Sequence, residues 1–239
     1  MTRKTTCGCV LFLLAAAGTV RAAADDEGRA RIGGDAADKA ASTDLPLLHE
    51  DGFERGAGLW QPKDSEWDVV ETGSGNAYRM TGKSGYKPPV RSPRIVSLLD
   101  GLRVTDFELT VRVKSTGRNY GHRDVCLFWG YQDPSHFYYA HLGQKPDPHS
   151  CQIFIVNDKP RTRITTNKTE GIPWTEEWHT VKIVRRVSDG TMEVYFDDMT
   201  EPIMVAEDKT FTWGEVGLGT FDDSGNWDDF VLKGLEAKR

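Results

Sequence analysis

The chain is predicted to fold as an all-β, two-sheet antiparallel sandwich of the jelly-roll kind. Three observations predict it. From Leu45 onward, apolar and polar residues alternate with period two. The alternating runs are divided by turn-forming clusters such as Asp133-Pro134 and Asp222-Asp223-Ser224-Gly225. No helical periodicity runs longer than two turns and no strand–helix–strand alternation occurs, which excludes a parallel sheet with crossover helices.

Short strands are expected at Trp67–Val70, Ala77–Thr81 and Arg94–Leu98. Thr105–Lys114 is the clearest strand, with Phe107, Leu109, Val111 and Val113 on one face and Glu108, Thr110, Arg112 and Lys114 on the other. Val125–Tyr131, Phe137–Leu142 and Gln152–Val156 follow. Trp178–Val184 and Thr191–Phe196 repeat the alternation and are joined by Ser188-Asp189-Gly190, a hairpin signal. Ile203–Ala206, Val216–Phe221 and Phe230–Lys233 complete the set. Trp174, Trp213 and Trp227 are read as core residues rather than as exposed stacking platforms.

The beginning of the chain has a different character. Arg3 and Lys4 precede an unbroken apolar run, Val10–Ala17, and small residues around Ala22 match the pattern a signal peptidase reads. Residues 1–22 are therefore expected to be a signal peptide and the product to be secreted or periplasmic. Residues 23–46 are rich in Ala, Asp and Gly and hold few large apolar side chains, as a flexible linker does. Residues 47–239 form the expected domain.

A net charge of −6, made more negative when Arg3, Lys4 and Arg21 leave with the signal, argues against a nucleic-acid partner. No apolar run reaches the ~18–20 residues of a membrane helix, so membrane insertion is not expected. No glycine-rich phosphate loop precedes a helix and no nucleophile elbow occurs, so no organic cofactor and no Ser-His-Asp hydrolase are implied. Cys126 and Cys151 remain after processing. In a three-strand meander they would stand two strands apart, roughly 10 Å. That is beyond disulfide reach, so buried thiols are expected, although an oxidising compartment would permit a bridge.

His49-Glu-Asp-Gly-Phe-Glu-Arg-Gly56 followed by Trp60 resembles the opening strand of the concanavalin A-like lectin/glucanase superfamily. Gly130–Tyr139 is similar to the central hairpin of its laminin-G-like branch. Glu177–Ile183 with Glu193–Asp198, then Val216–Phe221 with Trp227–Leu232, resemble its later strands and closing pair. The resemblance spans Leu47 to Leu235 and extends to the exported 3-keto-disaccharide hydrolase domains, but His122-Arg-Asp-Val-Cys126 stands where those carry Asn-Ser-Gly. It implies a glycan or oligosaccharide as partner, bound on a concave sheet face. The alternatives are a glycoside hydrolase or polysaccharide lyase, and a laminin-G-type module that binds a protein partner.

The residues themselves offer three clusters. Glu66-x-Asp68-x-x-Glu71 matches the acid triplet of retaining glucanases. It lies early in the chain on an ordinary-looking strand, and is read as surface acids. His122, Asp124, His136, His141, Asp147 and His149 fall close together in sequence. Imidazole and carboxylate together can bind a metal or move protons. Alternation puts Tyr139 and His141 on the face opposite Tyr138, Ala140 and Leu142, and so toward an open surface. Arg112, His122, Tyr139, His141, His149 and Gln152 are the expected ligand-binding set, with His141, Tyr139 and His122 as the catalytic candidates if the domain is an enzyme. Third, Asp51 and Glu54 open the domain and Asp228 and Asp229 close it. The resemblance makes the first and last strands neighbours and implies a structural calcium between them, for which clustered hard oxygens are suited.

Overall fold

The computed structural model describes residues 45–238, so the expected signal peptide and nearly all of the linker lie outside the described residues. Fifteen strands follow in order. β1 (Leu47–Asp51), β2 (Trp60–Pro62), β3 (Ser65–Thr72), β4 (Gly75–Ser84) and β5 (Ile95–Leu99) precede β6 (Val104–Ser115). β7 (Cys126–Asp133), β8 (His136–His141), β9 (Gln152–Asn157) and β10 (Thr162–Arg163) come next. β11 (His179–Arg185), β12 (Thr191–Phe196), β13 (Met204–Glu207), β14 (Glu215–Thr220) and β15 (Gly225–Glu236) close the chain. The described residues contain no helix.

The strands form two antiparallel sheets. One runs β13-β12-β11-β6-β15-β4-β3, with β1 also paired to β15. The other runs β10-β9-β8-β7-β14-β5-β2. The first and last strands are neighbours, as the resemblance implies. Alternation explains the inner faces. Leu109, Val111 and Val113 of β6 and Val181 and Ile183 of β11 meet Leu127 and Trp129 of β7, Tyr138 and Ala140 of β8 and Leu218 of β14 in one core. Burying each Val, Leu and Ile among them contributes about 1.5–3 kcal/mol.

β15 departs from simple alternation. Trp227, Phe230 and Leu232 all belong to the core, although 227 and 230 are an odd number of residues apart. A bulge reconciles them. Asp228 pairs with Arg112 but Val231 pairs with Thr110, so three residues of β15 span two of β6. Asp229 takes up the extra length at φ 47°, a region that Asp tolerates better than most side chains.

Cys126 and Cys151 are both free and both buried. Trp174 and Trp227 are buried as expected, but Trp213 is 38% exposed. It lies in the segment before β14 with the Arg103 guanidinium 5.4 Å from its ring. A cation on its face lets that ring remain at the surface.

Candidate functional site

The outer face of the seven-stranded sheet is covered. Val96 and Leu98 of β5, Phe128 of β7, Phe137 and Tyr139 of β8, and Phe154 and Val156 of β9 form a second hydrophobic cluster there. Val90 and Phe221 pack onto it from above. Val90 belongs to the segment linking β4 to β5, which crosses the sheet as a strap. The Arg161 N–H donates to the Arg91 carbonyl at 3.1 Å and ties the strap down. The Arg161 guanidinium lies 5.0 Å from the Phe154 ring and 4.3 Å from the Phe221 ring, and donates to Tyr139 Oη at 3.2 Å.

This corrects the expectation that Tyr139 and His141 face an open surface. They do point away from the central core, but Tyr139 is 0% and His141 4% exposed. Their neighbours on the same side, Phe137, Phe128 and Phe154, are apolar. Strands apolar on both faces are buried on both.

Beside this cluster lies a buried polar group built by β7, β8 and β14. Cys126 and His141 are direct cross-strand partners. Asp124 precedes β7, and its Oδ2 stands 3.2 Å from His141 Nε2. Asp124 Oδ1 accepts from Thr220 Oγ1 at 2.7 Å, with the Phe221 N–H and the Cys126 thiol farther off at 3.4 and 3.9 Å. Burial alone would raise the Asp124 pKa, but His141, Thr220 and the Phe221 N–H together hold it below the usual carboxylate value. The same charge adds to burial in pushing the Cys126 thiol well up. Asp223 accepts from the Asp124 N–H at 2.9 Å and from Tyr120 Oη at 3.1 Å. Burial first, then the Asp124 charge, lifts Asp223 to about 6.

The predicted ligand-binding set does not converge. Arg112 is on β6, in the other sheet, where it reaches Asp229 at 3.0 Å and lies 5.0 Å from the Trp178 ring. The outer faces of the two sheets point to opposite sides of the sandwich, so Arg112 cannot join Tyr139 and His141. His122 and His149 are exposed on loops: His122 is 3.9 Å from Asp147, and the His149 N–H donates to Asp147 Oδ1 at 2.6 Å. Gln152 is buried and donates to the Asp147 carbonyl and Thr169 Oγ1 at 3.2 and 3.4 Å. Of the three catalytic candidates, Tyr139 and His141 are together but covered, and His122 is apart. His136 sits at the far end of β8, between Asp133 and Asp158 at 2.8 and 3.2 Å.

The four acids expected to hold calcium each have another partner. Asp51 accepts from the Phe53 N–H and Trp60 Nε1, at 2.8 and 3.0 Å. Glu54 accepts from the Asn76 N–H at 2.9 Å, Asp228 from the Asp229 N–H at 2.7 Å, and Asp229 from Arg112. Asp51, Glu54 and Asp229 share an open cleft at the first and last strands. Yet neither of the two clusters of three ligating side chains found among the described residues includes any of the four. Calcium also takes backbone carbonyl oxygens, so the cleft keeps the expected acids beside the backbone of the first and last strands, with Asp229 paired to Arg112. Glu66 and Asp68 lie on β3, at the sheet edge, paired with Lys83 and Arg79, in keeping with surface acids.

One open cleft remains over the covered face. Pro88, Pro89, Val90, Arg91, Arg94, Phe221 and Asp222 line it. Arg94 reaches Asp222 at 3.3 Å. Phe221 both lines this cleft and stacks on His141, with ring centroids 5.2 Å apart. Sequence reasoning missed the strap, Arg161 and Phe221. The available signals were Pro88-Pro89-Val-Arg-Ser-Pro93 and the doubly apolar strands β8 and β9.

No protein-family model and no curated protein matches the chain. Solved structures do. A carbohydrate-binding module, CBM66, from Bacillus subtilis is similar with TM-score 0.54 at 15% identity, over 73% of this chain and 95% of that one. Domain 4 of AbnA, a GH43 extracellular arabinanase from Geobacillus stearothermophilus, in complex with arabinotriose, gives TM-score 0.56 at 11% identity, over 82% and 96%. A Bacillus subtilis protein of unknown function with a galectin-like fold gives 0.53 at 10%, over 82% and 99%. The fold is thus the two-sheet antiparallel sandwich that these structures share.

Proposed function

We propose that the chain is an exported carbohydrate-recognition domain whose glycan lies in the cleft between the strap and Phe221. The observation that carries this reading is the pairing of a half-buried aromatic ring, Phe221, with Asp222, Arg91 and Arg94 around one open cleft. Sugars present apolar C–H faces to aromatic rings and hydroxyls to polar groups, and this lining supplies both. The similar solved structures include a carbohydrate-binding module and a domain in complex with arabinotriose, which supports the same ligand class. Recognition is favoured over catalysis by Tyr139 and His141, since neither can touch a sugar while Phe221 and the strap stay in place.

Calorimetric titration of the protein with a panel of oligosaccharides tests the reading. At least one glycan should bind, and Phe221→Ala and Asp222→Asn should each weaken it by about tenfold, the loss of one stacking or hydrogen-bonded contact. Binding that survives both substitutions places the ligand elsewhere. A panel with neither binding nor turnover, together with capture of a defined protein partner, supports the laminin-G-type interaction module instead.

A further inference from the structure

We propose that Asp124, Cys126 and His141 form a binding site for a divalent transition-metal ion of the zinc class. The three offer a carboxylate oxygen, a sulfur and an imidazole nitrogen, all within 4.8 Å of one another, and all three residues are buried. The site rests on rigid elements: Cys126 and His141 are paired across β7 and β8, and Asp124 is fixed by Thr220.

Two observations point to an ion rather than to a simple ion pair. His141 is 4% exposed, yet neither Nδ1 nor Nε2 has a hydrogen-bond partner. A buried imidazole whose one polar neighbour, Asp124, is poorly aligned to it is costly unless something else occupies its lone pair. In addition, Nε2 stands 3.2 Å from Asp124 Oδ2, close enough for a hydrogen bond, but the two are not aligned as donor and acceptor. Ligands of one tetrahedral ion, each bonded at ~2.0–2.1 Å, stand about 3.3 Å apart. The separation and the misalignment are those of two ligands sharing an ion.

The donor set selects the class. Thiolate with imidazole suits zinc and its neighbours over magnesium or calcium, which take oxygen ligands. On binding, the Cys126 thiol releases its proton to solvent, and thiolate plus carboxylate balance the two charges of the ion. The Arg161 guanidinium is held on the Tyr139 side of the cluster, by Tyr139 Oη and the Phe154 and Phe221 rings. Three protein ligands leave one position of a tetrahedral ion for water or a ligand oxygen.

Cobalt(II) titration of the full chain, with Cys7 and Cys9 replaced by Ser, under reducing conditions is the test, read by absorbance. The expected result is a thiolate-to-cobalt charge-transfer band that saturates at one equivalent and is bleached by zinc. Cys126→Ser should abolish the band, while Cys151→Ser, which alters the other buried thiol, should retain it. His141→Gln should weaken cobalt binding by more than the ~10–100-fold that follows loss of a residue merely supporting a ligand. The band is measured first with Asp124, Cys126 and His141 intact, so its absence there overturns the proposal even if a variant fails to fold. Persistence of the band in Cys126→Ser overturns it as well. The readout is independent of glycan binding, so either reading can fail alone.

Discussion

Phe221 stacks on His141 with an interplanar angle of 26° and a centroid separation of 5.2 Å. One ring therefore separates the open cleft from the buried polar group beneath it. Arg161, 4.3 Å from the same ring, holds the arrangement from the side.

Replacing Phe221 with Ala removes this seal. The variant should lose about 1–3 kcal/mol of stability, the sum of partial apolar burial and a cation–π contact. His141 should become reactive toward diethyl pyrocarbonate, measured by peptide mass mapping. Unchanged modification of His141 in the variant would show that another element covers it.

Arg123 is a second point of dependence. Only 1% exposed, it donates to Ser115 Oγ at 2.9 Å and to the Ser115 and Thr175 carbonyls at 2.7 and 2.9 Å. Arg123→Met leaves those acceptors unpaired and should cost about 3–5 kcal/mol in urea denaturation. Its carboxylate partner Glu176 is 3.0 Å away but 76% exposed. Glu176→Gln should therefore cost less than about 1 kcal/mol. Equal losses from the two substitutions would contradict the assignment of Arg123 to backbone support.

Asp228 tests the acids at the first and last strands. Burial, then the neighbouring Asp229 charge, raises its pKa above the usual carboxylate value. A carboxyl group raised in the folded state contributes stability below its unfolded pKa and loses it as pH rises through the folded value. Asp228→Asn mimics the protonated form and retains an acceptor for the Asp229 N–H. It should raise the melting temperature at pH 7, equally with calcium and with chelator. A fall seen only in calcium would mean that Asp228 ligates the ion after all.

His136 supplies a pH dependence of the opposite charge type. A hydrogen bond to Asp133, assisted by Asp158, raises its pKa above the ordinary imidazole value. The stabilisation is fully present below that ordinary value, near 6.5, and is lost as pH rises through the raised one. Partial exposure limits it to less than about 1 kcal/mol. Urea denaturation from pH 5.5 to 8 should show the parent losing stability relative to His136→Gln as pH increases, and parallel profiles would remove His136 from the account.

Much of the fold was legible because alternation is a local property. Thr105–Lys114 names its own core face, and β6 buries Phe107, Leu109, Val111 and Val113 as that pattern requires. The β15 bulge was not legible. Nothing near Asp229 announces an extra residue, and the slip appears only when β15 is laid against β6.

The candidate site was legible by composition and not by position. That Asp124, Tyr139 and His141 lie close together along the chain could be read from one short stretch of sequence. Arg112 was misassigned because alternation specifies inside or outside within one sheet and says nothing about which sheet a strand joins. Tyr139 and His141 were misplaced as open because their cover comes from Val90 and Phe221, which lie far from them along the chain.

Local periodicity was enough to establish an all-β sandwich and the residues that build its core, since side-chain direction in a strand follows from neighbours one and two positions away. Which outer face is covered, which polar residues meet, and how Cys126 comes to face His141 depend on contacts between distant segments. Those were decided only when the two sheets, the strap and the β14–β15 turn packed together.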